Sequence, residues 1–282
     1  MPSRVCSASV DFHIEPTESV GILMRGLTGK VIAVSGGAGD LGLATAQRLA
    51  EEGAIPYLLD VVDTKEGLER ANGVKAAGYY LCSQTDRKAF EKVIAEIIAQ
   101  DGRLDVLILN AARTSAAGIA EMDIQEWREI IDLNLNGPVE CSQVALRLML
   151  KQPRTPGGSR GKILFTGTQC QQRPEHGGVG YQVSKRALQR FMEQLAYDYA
   201  AEGVLSNMLL PGILNAGLTR RVVLSSRPEL KQTLLDRIPI GEFGTSEQVA
   251  AAYAYLCSSD SDYMTGACLT IDGGCVLGRA ER

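Results

Sequence analysis

No apolar run in the chain reaches the roughly 20 residues that a membrane-spanning helix requires, and no block of Lys and Arg is long enough to neutralise many phosphates. A membrane protein and a nucleic-acid partner are thereby set aside. Acids stand within the first residues, at Asp11 and Glu15, where a secretory signal needs an uninterrupted apolar stretch, so the chain is expected to stay in the cytosol. The seven cysteines include no CxxC pair, and the only histidines are His13 and His176. That excludes the ligand spacings of a zinc site and gives no disulfide framework, so no metal is expected and the cysteines read as small, mostly buried thiols. No internal repeat is present.

What the chain does have is 282 residues of ordinary globular composition, with 45% hydrophobic residues and a net charge of −4. That length buries a large core within one domain. Short, nearly continuous apolar runs are predicted as strands at 30–35, 54–60, 79–82, 104–109, 162–166, 205–209 and 268–271. Helical patterns are predicted between them at 44–52, 87–99, 127–150, 181–201 and 246–256. Alternation of this kind implies an α/β fold, a doubly wound parallel sheet of Rossmann type with helices on both faces. Residues 1–26 read as an irregular N-terminal extension and 27–282 as the domain. The Pro/Gly stretch at 152–159 is a loop, because the alternation resumes after it.

The first predicted strand runs into Gly37-x-Gly39-x-x-Gly42, which opens a helix, and Asp60 closes the next strand. A glycine turn between strand and helix lets the backbone approach a pyrophosphate, which then rests on the unpaired N–H groups of the helix start. Asp60 is placed to accept from the adenosine ribose hydroxyls and to repel an additional phosphate there, which favours NAD over NADP. The plainer readings are a turn that only packs helix on strand and an Asp60 that is a solvated strand end.

Tyr181-x-x-x-Lys185 puts a phenol and an ammonium on one helix face. A fixed cation favours phenolate and moves the tyrosine from about 10 toward the working pH, as a general acid/base for an alcohol requires. The spacing by itself is also that of an ordinary exposed helix pair.

From about Gly29 to Gly274 the chain resembles the short-chain dehydrogenase/reductase family. The matching stretches are Ser35-Gly36 through Gly42, Asp60, Asp105 through Ala112, Ile131 through Leu135, Tyr181-x-x-x-Lys185, Pro211-Gly212, Pro239 through Gly244, and Met264-x-Gly266 through Gly274. The resemblance implies that Tyr181 exchanges the proton, while Lys185 holds the nicotinamide ribose and depresses the tyrosine pKa. Asn134 positions a water leading outward from Lys185, and Thr168 takes the place of the family's substrate-binding serine, keeping its hydroxyl. It further implies NAD contacts from Gly36, Ala38, Gly39, Asp40, Leu41, Asn110, Ala111, Pro211, Gly212 and Leu214, a substrate lid at about 213–236, and a homodimer or homotetramer through the two long helices. Gln169, Gln171 and His176 fall where the family lines its substrate site, and Arg220 and Arg221 in the lid read most simply as a solvated helix face.

Several positions depart from the family, among them Ser35 for a threonine and Leu109 for an asparagine. Asp40 replaces a glycine of the turn and is expected to cap the helix that follows. Ser83 stands for an aspartate at the adenine, Ala112 for a glycine, and Ala216 for a threonine beside the nicotinamide. The expected activity is hydride transfer between nicotinamide and a small secondary alcohol or ketone, such as a polyol or sugar. The competing readings are an NAD-sensing regulator of the same fold and a methyltransferase, the latter leaving Tyr181 and Lys185 without a role.

Overall fold

Residues 30–35 are too apolar to leave either face in water, and the structure buries both. The chain is described by a computed structural model over residues 24–155, 158–225 and 228–278, with the side chains of 221–223 outside that description. The lid residues Arg221, Val222 and Val223 therefore have no described side chains. Seven strands form one sheet: β1 (Val31–Ser35), β2 (Ile55–Asp60), β3 (Gly78–Leu81), β4 (Val106–Leu109), β5 (Gly161–Thr166), β6 (Val204–Pro211) and β7 (Cys268–Ile271). Their order is β3-β2-β1-β4-β5-β6-β7, and every adjacent pair is parallel.

The period of two along a strand divides the core in two. On one face Val31, Ala33, Leu107 and Phe165 pack under α3 (Arg87–Asp101), α5 (Gly137–Met149) and α6 (Val179–Tyr199) through Phe90, Ala145 and Leu188. On the other, Ile32, Val34, Ile108 and Leu164 meet α1 (Asp40–Glu51) and α8 (Ser246–Cys257) through Leu49 and Tyr253. The predicted strands and helices are all present, with ends shifted by a few residues.

Two differences have physical causes. The helix predicted over 127–150 is α4 (Ile124–Ile131) and α5, joined by a widened turn at Asp132–Asn136 in which the Gly137 N–H reaches the Asp132 carbonyl. Pro138 has no N–H to offer the carbonyl of Asn134, so a regular turn cannot close there. The second is α2 (Thr64–Arg70), which has no apolar stripe to betray it. It is held by the Asp63 cap on Lys65 N–H and by Gly67, where a Cβ would stand 2.1 Å from the Tyr79 ring.

Met24 and Arg25, counted with the N-terminal extension, dock on the domain: Met24 N–H donates to Glu52, and the Arg25 carbonyl accepts from Ser259 N–H. Residues 1–23 of that extension lie outside the described residues. The segment expected as a lid contains a widened turn at Thr219–Leu224 and the short α7 (Leu230–Leu235), with Leu218 and Leu224 half-buried. Among the described residues no helix is long and apolar enough to cross a membrane, and no group of His, Cys, Asp and Glu is placed to hold a metal.

A buried cation ties the end of α8 to the sheet. Lys162 on β5 is fully buried, donates to the Ser258 carbonyl at 2.6 Å and to Ser261 Oγ at 2.8 Å, and lies 2.8 Å from the Asp262 carboxylate. Burial lowers the pKa of this ammonium, and Asp262 opposes that shift. Asp262→Asn leaves the cation without its counter-ion, and urea unfolding is expected to register a loss of about 3 kcal/mol; a loss below about 1 kcal/mol would show that the two carbonyl and hydroxyl acceptors suffice.

Candidate active site

The strand order reverses direction between β1 and β4, and a cavity of about 870 Å³ opens beyond the carboxyl ends of the strands there. Gly36, Gly39, Asp40, Leu41, Asp60, Asn110, Ala111, Thr168, Gln169, His176, Tyr181, Lys185, Pro211, Gly212 and Leu214 line it. Ala38 and Asn134 do not.

The glycine turn is shaped by close approach. Gly36 has φ +65°, and a Cβ on it would meet the Ala111 backbone at 2.9 Å; a Cβ on Gly42 would lie 2.2 Å from the Gly36 carbonyl oxygen. Gly39 caps α1 with no side-chain hydrogen bond, so the positive helix end faces the cavity without an acceptor of its own. A pyrophosphate fits that cradle. Asp60 closes the turn from the side, accepting from Ala38 N–H at 2.9 Å and from Val61 and Val62 N–H.

Asp40 is not the helix cap expected of it. It is the first residue of α1, and its Oδ2 accepts from the Gly217 N–H and from Arg220, both at 2.7 Å. The cap position had already fallen to Gly39, and the lid offers the carboxylate a cation and an amide. Arg220 is thus exposed yet paired, which corrects its reading as part of a merely solvated face.

Beneath the turn, Ser35 Oγ donates to Gln84 Oε1 and accepts from the N–H groups of Asn110 and, more loosely, Ala111. Asn110 reaches the Gly36 carbonyl and accepts from Thr166 Oγ1. Gln84, which no motif marked, donates to the carbonyls of Ala111 at 2.9 Å and Leu133 at 2.7 Å. It joins β1, the end of β4 and the turn carrying Asn134. Ser83 faces the cavity with its hydroxyl on Thr85, and Ala112 and Ala216 line it as well.

The chemical centre stands on α6, which starts at Gly178 in the left-handed region, φ +63°. One turn apart, Tyr181 and Lys185 bring Lys185 Nζ to 5.9 Å from the phenol ring centre. Thr168, just past β5, lines the cavity with Tyr181; its Oγ1 donates to the Gln169 side chain and caps the tight turn at Gln169–Gln171 by accepting from Cys170 N–H. Gln171 completes that capping box instead of facing the cavity, its Oε1 accepting from Thr168 N–H. Asn134 is fully buried; its amide donates to the Arg113 carbonyl and Ser184 Oγ and accepts from Arg113 N–H. Its side chain braces the floor of the site.

The electrostatics reverse one expectation. Burial pushes the Tyr181 phenol well above its usual range; Cys170 adds to the rise, the Thr168 hydroxyl pulls against it, and Glu175 adds a smaller increment. Burial lowers Lys185 to about 7, and its Nζ donates to the Thr166 carbonyl at 2.8 Å. Lys185 does not draw the tyrosine down in the chain alone, because the desolvation that raises the phenol also discharges the lysine.

Beyond Thr168 lies a polar wall with two members that sequence spacing did not mark. Gln169 donates to Glu175 at 3.0 Å, and Glu175 is hydrogen-bonded by Arg237, just past α7. Burial works against the Arg237 cation, but Glu175 outweighs it and raises the pKa. Neither residue belongs to a spaced motif, and Arg237 is 62 positions from its partner. His176 is exposed at the rim.

Comparison with known proteins agrees with this geometry. Residues 36–276 match the family model described as enoyl-(acyl carrier protein) reductase. The chain belongs to the short-chain dehydrogenase/reductase family. It is 30% identical to the 3-oxoacyl-(acyl-carrier-protein) reductase of Thermotoga maritima, over 89% of this chain and 99% of that one. It is 31% identical to glucose 1-dehydrogenase 2 of Bacillus subtilis, over 90% and 98%. The crystal structure of an NAD⁺-bound xylitol dehydrogenase superposes with a TM-score of 0.79 at 28% identity, covering 89% of this chain and all of that one. As a member of the family the chain is an oxidoreductase.

The lowered pKa of Lys185 is measurable without any substrate. Between about 7 and the ordinary 10.5 the unfolded chain holds a proton on this lysine that the native state lacks, so its contribution to stability rises with pH across that window and is lowest below it. Lys185→Met is expected to raise the Tm of the cofactor-free protein at pH 7, with the gain shrinking by pH 9. A gain that does not change with pH would show that Lys185 is not discharged by burial.

Proposed function

We propose that this enzyme is an NAD-dependent dehydrogenase/reductase acting on a small secondary alcohol or ketone of the polyol or sugar kind, with Tyr181 as its general acid/base. The observation that carries the proposal is that Thr168, Tyr181 and Lys185 line the same cavity as the glycine turn, with Lys185 Nζ 5.9 Å from the phenol ring centre. Two hydroxyls in one cavity are placed to grip one substrate oxygen between them. The similarity to a glucose dehydrogenase and a xylitol dehydrogenase supports the substrate class.

The residues that would hold NAD are the turn from Gly36 to Leu41, Asp60, Asn110 and Ala111, the segment from Pro211 to Leu214, and Lys185. When bound, nicotinamide supplies the site that gives or takes the hydride. The chain supplies the rest. Thr168 orients the substrate oxygen, and Tyr181 takes its proton in oxidation or returns it in reduction. A phenol held above its usual range stays protonated at neutral pH, which suits it to donate in the reductive direction. Lys185, behind the phenol, carries the proton onward, and Asn134 keeps the surrounding backbone in register through its bonds to residue 113 and Ser184.

NAD is favoured over NADP because the Asp60 carboxylate occupies the end of β2 where the adenosine ribose is expected. The nearby Arg70 is already paired with Glu66, so it does not offset that negative charge. Exposed Val183 and Tyr197 on α6 support assembly as a homo-oligomer through the long helices.

Tyr181→Phe is expected to lower turnover by about 10²–10⁴-fold, followed at 340 nm with a panel of secondary alcohols, sugars and polyols, while calorimetric NAD affinity stays within a few-fold. A variant that keeps its rate would remove Tyr181 from the chemistry. For Asp60→Ala, the ratio of NAD to NADP affinity is expected to fall about tenfold. Because Asp60 also braces Ala38, both affinities weaken together if bracing is its whole role, and an unchanged ratio would reveal that.

A further inference from the structure

The substrate end of the cavity is closed by a charged pair that the proton chemistry does not use. Thr168 Oγ1 donates to Gln169 Oε1 at 3.0 Å, Gln169 Nε2 donates to Glu175 Oε1 at 3.0 Å, and Arg237 donates to that same oxygen. All four side chains line the cavity, and Glu175 and Arg237 retain 22% and 37% exposure. The chain of bonds therefore starts at the hydroxyl that meets the reacting oxygen and ends on a carboxylate and a guanidinium facing the same space.

We propose that Glu175 and Arg237 are specificity-determining residues that bind a second, neutral hydroxyl of the substrate, on a carbon next to the one that reacts. This rests on the dehydrogenase reading and deepens it to a substrate class: vicinal polyols and the matching hydroxy ketones. The pair offers an acceptor and a donor together: Glu175 Oε1 accepts from Gln169 and Arg237, the other carboxylate oxygen is an acceptor, and the guanidinium supplies further N–H donors. A hydroxyl donates to the first and accepts from the second, satisfying both at once.

Other substrate classes fit less well. An anionic substrate meets Glu175 at close range, and the adjacent cation, Arg237, is already neutralised by it. A purely apolar chain displaces water from both charges and returns no hydrogen bond, at a cost that rises as the lid excludes solvent. Apolar cover is available from the lid itself through Leu218, Leu230 and Leu234, which suits the carbon skeleton of a small polyol lying between lid and polar wall. The pair also joins the loop before α6 to the segment after α7, so the second hydroxyl would be read where the lid meets the domain.

The test compares butane-2,3-diol with butan-2-ol, which differ by the one hydroxyl at issue, using the full chain saturated with NAD. The wild-type protein is expected to favour the diol in kcat/KM by at least roughly tenfold, mainly through KM, as a hydrogen bond to a charged group provides. In Glu175→Gln and Arg237→Met that preference is expected to shrink to within about threefold, while Arg237→Lys, which keeps a cationic donor, retains most of it. A wild type with no preference for the diol, or variants in which both alcohols weaken equally, would overturn the proposal, because a pair that only clamps the lid lowers both alike. The same comparison is read by saturation-transfer NMR on Tyr181→Phe with NAD bound, which needs no turnover. If no alcohol is oxidised by the wild type, the dehydrogenase reading fails; diol-selective binding that Glu175→Gln abolishes then still upholds the assignment of the pair, and equal binding of the two alcohols overturns it.

Discussion

Pairing of β1 with β4 is the contact on which the site depends. The chain lays β2 and β3 on one side of β1, then crosses back to build β4 through β7 on the other, so the crossovers on either side of this pair run in opposite directions and leave a cleft at the carboxyl ends. The pairing is held at that edge by polar groups. Ser35 binds the first amides beyond β4, Asn110 reaches back to Gly36, and Gln84 spans both to the turn at 132–136. Loosening this knot would move the glycine turn relative to Thr168 and Tyr181, and with it the distance over which a hydride must pass.

The lid is fastened at both ends by charge. Near the glycine turn it is held by Asp40, which takes an amide and a guanidinium from residues 217 and 220; at the other end Arg237 is held by Glu175. Exposed pairs of this kind contribute little to global stability, on the order of 0–1 kcal/mol each. Their effect is on position: Arg220 and Arg237 have their partners on different walls of the cavity, which fixes the 217–237 segment against both. The acid in the glycine turn, which by itself would repel a pyrophosphate, is paired with Arg220 and the Gly217 amide.

Burial shapes the chemical centre as strongly as any single charge. Tyr181 and Lys185 are a turn apart, yet the desolvation that keeps water from the site raises one and lowers the other, leaving both nearer neutral than their types suggest.

Much of this was legible in the residues themselves. Apolar strands bounded by turns admit only a parallel sheet covered on both faces, because nothing else hides both sides of 31–35 or 106–109. The glycine turn, Asp60 and the Tyr181 to Lys185 spacing are local patterns, and local patterns survive folding. Asp40 and Arg220 lie 180 positions apart, Glu175 and Arg237 lie 62, and no spacing rule joins them. The partner of Asp40, the bracing role of Asn134, the part played by Gln84 and the polar wall at Glu175 were decided only when the lid folded over the sheet edge. Sequence determined which groups can donate, accept or ionise; tertiary structure decided which of them meet and how much water they keep, and those two quantities set both hydrogen-bond partners and pKa.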